Sequence, residues 1–168
     1  MKTKTAYLGL LLAFALILSY IEVLIPFSIG IPGVKLGLAN MAVLLTLYLF
    51  GYRDAFLLTV LKALLCGFLF GNMTMILYSL SGALVSYLTM AAMVKSNHFH
   101  LLTVSAAGGV MHNAGQLLVA YFVIKTYGIL YYVPILILSG LIAGILIGTI
   151  VSLVMPFIRY VMKRGNNL

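Results

Sequence analysis

The sequence predicts an all-α integral membrane protein, a bundle of about six transmembrane helices, and three observations predict it. Of 168 residues, 64% are hydrophobic and only 7% charged, and the mean hydropathy of +1.22 lies far outside the range of soluble domains. The apolar residues fall in long runs, separated by Pro, Gly and short polar segments. A hydrocarbon core roughly 30 Å thick takes about 20 apolar residues per span, so the length has room for about six spans and little else. One transmembrane domain, residues 1–168, is expected.

The first span, about residues 6–26, follows Met1-Lys2-Thr3-Lys4 and imitates a signal peptide, with Ala13-Phe14-Ala15 resembling a cleavage site. Its apolar stretch continues to Ile21 and further spans follow, so an uncleaved helix is expected. The connection from Phe27 to Lys35 holds Gly30, Pro32 and Gly33, strong helix breakers, and is more apolar than a solvated linker. Span two, about 36–50, ends at the polar turn Gly51-Tyr52-Arg53-Asp54, and span three, about 55–70, ends at Gly71-Asn72. Span four covers about 74–94; the polar segment Lys95 to His100 leads into span five, about 101–124. Lys125-Thr126-Tyr127-Gly128 breaks the chain before span six, about 135–157, and a basic tail with Arg159, Lys163 and Arg164 follows.

Ten Lys and Arg stand against only Glu22 and Asp54, a formal charge of +8. The basic residues sit mostly between apolar runs, where they report topology and not nucleic-acid binding. Alternating the loops puts Lys2, Lys4, Arg53, Lys95, Arg159, Lys163 and Arg164 on one side and Lys35 and Lys125 on the other. The richer side, with both termini, is expected in the cytoplasm.

Small residues mark where helices meet. Gly140, Gly144 and Gly148 form a GxxxGxxxG ridge on span six that admits a neighbouring backbone. Ser79, Gly82, Ser86 and Thr89 share one face of span four, and Gly9 and Ala13 lie four apart on span one. Each of these stripes is an internal seam or a docking face for a partner membrane protein.

Polar side chains inside a bilayer are costly, which singles out Glu22, Asn40, Lys62, His112, Asn113 and Gln116. At 1.5 Å per residue, Lys62 lies about 13 Å from Arg53, and His112 about 18 Å from His100, so both fall near mid-membrane or beyond. Thr59 and Cys66 share the face of Lys62, which turns that face toward the bundle. Lys62 is then a ligand contact, a partner of Glu22, or a lysine reaching for the interface. His112, Asn113 and Gln116 serve either as ligand contacts or as interhelical hydrogen bonds. Together with Lys35 in the connecting segment, these groups could line one outward-opening cavity. An excess of Lys and His over carboxylate there favours an anionic or carbonyl-rich small molecule.

Other chemistry is poorly provided for. Cys66 is the one cysteine, so no intrachain disulfide forms. His98 and His100 have no nearby Cys, Asp or Glu in sequence, and no metal or other cofactor is expected. Two acidic residues far apart in sequence do not supply the carboxylates that hold magnesium around a diphosphate. The sequence also lacks a G-x-x-x-x-G-K-[ST] loop, so uphill transport would need an ATPase supplied by another subunit.

The stretch Pro32-Gly33-Val34-Lys35-Leu36-Gly37-Leu38-Ala39-Asn40-Met41, the later Tyr48-Leu49-Phe50-Gly51, and His112-Asn113-Ala114-Gly115-Gln116 resemble small membrane proteins labelled heptaprenyl diphosphate synthase component I, or Gx transporter family. The resemblance covers essentially the whole chain. That family is similar to the S components of energy-coupling factor transporters, which have six helices and bind a vitamin or related molecule in their outer half. The resemblance implies a coupling protein and two ATPases as partners; the aspartate-rich motifs through which prenyl diphosphate synthases resemble one another are absent from this sequence, so no catalytic residue is expected. It also implies docking through span one, where Gly9-x-x-x-Ala13 stands in place of Ala-x-x-x-Ala. Two other roles stay open: a non-catalytic membrane subunit linked to prenyl diphosphate or quinone synthesis, and an assembly subunit of a membrane redox complex.

Overall fold

A computed structural model of the chain describes residues 2–24, 37–125 and 127–165. Among these it is all-helical: α1 (Lys2–Leu24), α2 (Asn40–Leu49), α3 (Tyr52–Phe70), α4 (Met73–Ser96), α5 (Leu101–Ile124), a 3-10 helix (Tyr127–Tyr132) and α6 (Val133–Gly165). The stretches Lys4–Leu24, Met73–Ser96 and Val133–Arg164 are each long and apolar enough to cross a membrane. Many large apolar side chains on these helices point outward, among them Leu10, Leu88, Leu153 and Phe157, as expected where the surrounding solvent is hydrocarbon.

Turn chemistry sets the helix ends. Gly51 joins α2 to α3 at φ 92°, in the left-handed region that glycine enters without a Cβ penalty. Asn72 caps α4, its side-chain oxygen accepting the Met75 N–H at 2.9 Å. Asn97 and Lys125, both at positive φ, close α4 and α5. Two boundaries differ from the sequence expectation. α2 starts at Asn40, not near residue 36, because Gly37 at φ 84° cannot be helical. α6 runs through Pro156 to Gly165, beyond the expected end at 157. A proline in such a helix removes one backbone hydrogen bond, and its fixed φ remains helical.

Packing is tightest along α4, α5 and α6, where small residues let backbones touch. A Cβ on Gly140 would lie 2.6 Å from the Gly109 carbonyl oxygen, and one on Gly144 2.6 Å from that of Ser105. Ser105 Oγ donates to the Gly144 carbonyl at 2.7 Å, so the glycine ridge of α6 is an internal seam with α5. Ser79, Gly82 and Ser86 of α4 are buried, and the seam with α5 is bonded by Ser86 Oγ to Gly108 O and Ser81 Oγ to Gly115 O, both 2.8 Å. α2 is the central helix: every residue from Ala42 to Leu47 is buried, as befits a segment apolar all round. α1 packs loosely on α2 and α3, facing them with Ala15 and Ser19. Gly9 and Ala13 are exposed, and among the described residues nothing lies within 4 Å of a Cβ on Gly9. Of the two readings for that pair, the internal seam therefore fails. Asp54 pairs with Lys4 at 2.8 Å and ties the start of α3 to that of α1.

Candidate functional site

Register brings the buried polar residues together. From the turn at Gly51, α2 rises about 14 Å to Asn40 and α3 returns about 15 Å to Lys62, so the two side chains meet at one level. Lys62 Nζ donates to Asn40 Oδ1 at 2.9 Å, with Lys62 3% and Asn40 6% exposed. Thr59 and Cys66, on the same face of α3, are buried as well, as their spacing required.

α5 delivers His112 to the same place. A Cβ on Gly37 would lie 3.1 Å from both Asn40 Nδ2 and His112 Cδ2, and a Cβ on Gly82 would lie 3.1 Å from His112 Cε1. The imidazole therefore fills the gap between the start of α2 and the middle of α4. Gln116, one turn along α5, rests its stem on Gly82 as well, with its Cγ 2.7 Å from where a Cβ would be. Both residues are buried. Glu22 closes the group from α1, its carboxylate accepting the Leu38 N–H at 2.8 Å. That bond satisfies a backbone donor at the entry to α2, where no side chain caps the helix.

The structure thus gathers Glu22, Asn40, Lys62, His112 and Gln116 around the start of α2. Lys35 lies outside the described residues. Asn113 is turned the other way: its Nδ2 donates to Leu136 O at 2.7 Å and to Ser139 Oγ at 3.2 Å, so it joins α5 to α6. Among the described residues, Asn40 Nδ2 meets no acceptor and Asn113 Oδ1 no donor, an uncommon state for buried amides. Gly37 and Gly82 were not among the expected site residues, although Gly37 stands in the motif that carries Asn40. Both positions favour glycine: a Cβ on Gly82 would lie 2.7 Å from the His112 backbone carbonyl oxygen, and Gly37 combines φ 84° with a close approach to the imidazole.

Chemically the group is donor-rich, with a lysine ammonium, an amide NH2 and an imidazole beside one carboxylate held by a backbone N–H. It suits recognition of an acceptor-bearing small molecule. Among the described residues no three His, Cys, Asp or Glu side chains gather as a metal site would need.

An all-helical arrangement among the described residues, with three membrane-length apolar helices and a buried polar cluster, is that of helical membrane proteins that hold their polar groups inside the bundle. Within that class its sequence matches the family model described as heptaprenyl diphosphate synthase component I over residues 11–154. The chain belongs to that family. No curated protein and no solved structure matches it.

Proposed function

We propose that this protein is a substrate-capture component of a membrane importer, resembling the S components of energy-coupling factor transporters. In this reading all six helices are embedded in the bilayer, with both termini in the cytoplasm. A small anionic or carbonyl-rich molecule enters from the outer side and is held by Lys62, Asn40, His112 and Gln116, with Glu22 beside them; Lys35, outside the described residues, is a further candidate contact. Asn113 contributes by fixing α5 against α6. A coupling protein docks on the exposed Gly9 and Ala13 of α1, and two ATPases supply energy.

One observation carries the reading: Asn40, fixed by its bond from Lys62, keeps a buried amide NH2 beside Gly37 and His112 with no acceptor among the described residues. An unmatched buried donor costs about 1–3 kcal/mol, and a ligand acceptor would recover that. The test is mass spectrometry of small molecules and proteins copurifying with the detergent-solubilised chain. A bound metabolite with a coupling protein and ATPases is expected. Alanine substitutions at Asn40, Lys62 and His112 that leave uptake and metabolite retention unchanged would refute the site.

The family description favours a second reading, a membrane subunit of heptaprenyl diphosphate synthesis. The chain would then be non-catalytic, because its carboxylates are few and separated. It predicts copurification with a soluble, aspartate-rich synthase whose activity rises in the complex. A coupling protein and ATPases without a synthase would exclude it.

A further inference from the structure

A second place in the molecule gathers polar groups, at the opposite end of the bundle. A crevice of about 560 Å³ opens there between the last turns of α6, the end of α2 and the start of α5. Its polar lining is Arg159, Lys163, Tyr160 and Ser152 of α6 and Tyr48 of α2; Leu101, Met155 and Pro156 are apolar. Arg159 and Lys163 stand four residues apart on one helical face, where like charges repel. Among the described residues neither is paired with a carboxylate, since Asp54 is taken by Lys4 and Glu22 lies with Leu38 at the far end. Leu101 begins α5, whose N-cap His100 makes no side-chain capping bond. The positive end of a 24-residue helix therefore faces the same crevice.

We propose that this crevice binds the phosphate of an anionic membrane lipid. Two cations, an uncapped helix N-terminus and phenolic donors are the groups that recognise phosphate oxygens. The lipid source follows from the surroundings. Leu102, Leu153 and Phe157, next to the lining residues in sequence, expose 43%, 73% and 68% of their surface, so an acyl chain can lie against them while the headgroup enters. Tyr160, 61% exposed, has the amphipathic ring enriched at membrane interfaces. The inference rests on the membrane-embedded reading with this end at the cytoplasmic surface, but not on the importer or the synthase role.

The experiment is native mass spectrometry of the full chain released from nanodiscs of equal phosphatidylcholine and phosphatidylglycerol, comparing wild type with R159Q/K163Q and with R53Q/K95Q. Arg53 and Lys95 belong to the same basic end and do not line the crevice. The wild type should retain phosphatidylglycerol in excess. R159Q/K163Q should lower its relative affinity by about a hundred-fold or more, at roughly ten-fold or more for each charge-assisted hydrogen bond lost in the crevice, while R53Q/K95Q loses only the weaker general surface attraction. K163Q alone, expected about ten-fold weaker on the same basis, serves if the double variant does not insert. An unchanged excess in R159Q/K163Q, or an equal fall in R53Q/K95Q, overturns the proposal. Inorganic pyrophosphate raising the Tm in phosphatidylcholine nanodiscs as much as phosphatidylglycerol does would overturn the lipid assignment. Failure of the wild type to insert would refute the membrane reading itself, whereas insertion without lipid preference refutes only this inference.

Discussion

Replacing Lys62 with methionine separates a ligand contact from a packing residue, because the two roles move stability and binding in different directions. The side chain is 3% exposed and donates to Asn40 Oδ1 at 2.9 Å. Losing that bond leaves a buried amide oxygen unmatched, at a cost of about 1–3 kcal/mol. Removing a buried ammonium, however, relieves a desolvation penalty of several kcal/mol, and methionine fills the volume of the aliphatic stem. The empty protein should therefore melt within a few degrees of wild type, or higher. Ligand retention should fall, since a hydrogen bond to a charged group is worth about 1.5–3 kcal/mol, or roughly ten- to a hundred-fold in affinity. The assay pairs a thermal melt of the ligand-free chain in detergent with quantification of the metabolite that copurifies. Lys62→Met that melts much lower and retains the metabolite like wild type would refute the reasoning and make the lysine a structural element.

Other substitutions test the surrounding architecture. Gly140→Leu should cost well over the typical 1–3 kcal/mol of overpacking, because its Cβ would meet the Gly109 carbonyl oxygen at 2.6 Å and backbone cannot step aside; a sharply lower Tm checks it. Gly9→Leu, with nothing among the described residues within 4 Å of its Cβ, should leave the Tm unchanged and reduce recovery of any coupling protein. Gly37→Ala meets a left-handed backbone at φ 84° and a Cβ 3.1 Å from Asn40 and His112; roughly 1–2 kcal/mol of strain is expected, with metabolite retention falling alongside the Tm. Asn113→Leu should lower the Tm by losing its bonds to α6 while the remaining protein retains ligand, measured in the same paired assay.

Local spacing made the faces of single helices legible, and the partners of those faces were less so. Thr59, Lys62 and Cys66 share a face at spacings of three and four, and all three are buried; a polar group on an apolar helix can only gain by turning inward. The glycine ridge of α6 was equally legible as a seam. Its partner on α5 was not, because α4 also offers a small-residue face and pairing between distant segments leaves no mark in either one. His112 and Asn113 show the same limit within two residues. They are adjacent in sequence but about 100° apart around the helix, so one reaches Gly37 and Gly82 while the other bonds α6. The meeting of Asn40 with Lys62 could have been found from equal distances to the turn at Gly51, had the start of α2 been known. That start depends on the conformation of Gly37, which composition does not specify.

The two acidic side chains bear on how the family name is to be understood. Glu22 is engaged with Leu38 N–H and Asp54 with Lys4, at positions about 27 Å apart along α1, counted from Lys4 to Glu22. Magnesium around a diphosphate needs several carboxylates within one coordination sphere, and carboxylates at opposite ends of a bundle cannot converge on it. Basic residues, by contrast, are abundant at the end where Arg159 and Lys163 lie, and a lysine stands in the buried cluster. On the proposals above, the chain offers cationic groups to an anion at two depths, and in the synthase reading the metal-held chemistry of prenyl transfer is the work of a partner chain. As proposed, the synthase and importer readings both give this chain a binding role, and they part over whether the partner is a soluble synthase or a pair of ATPases with their coupling protein.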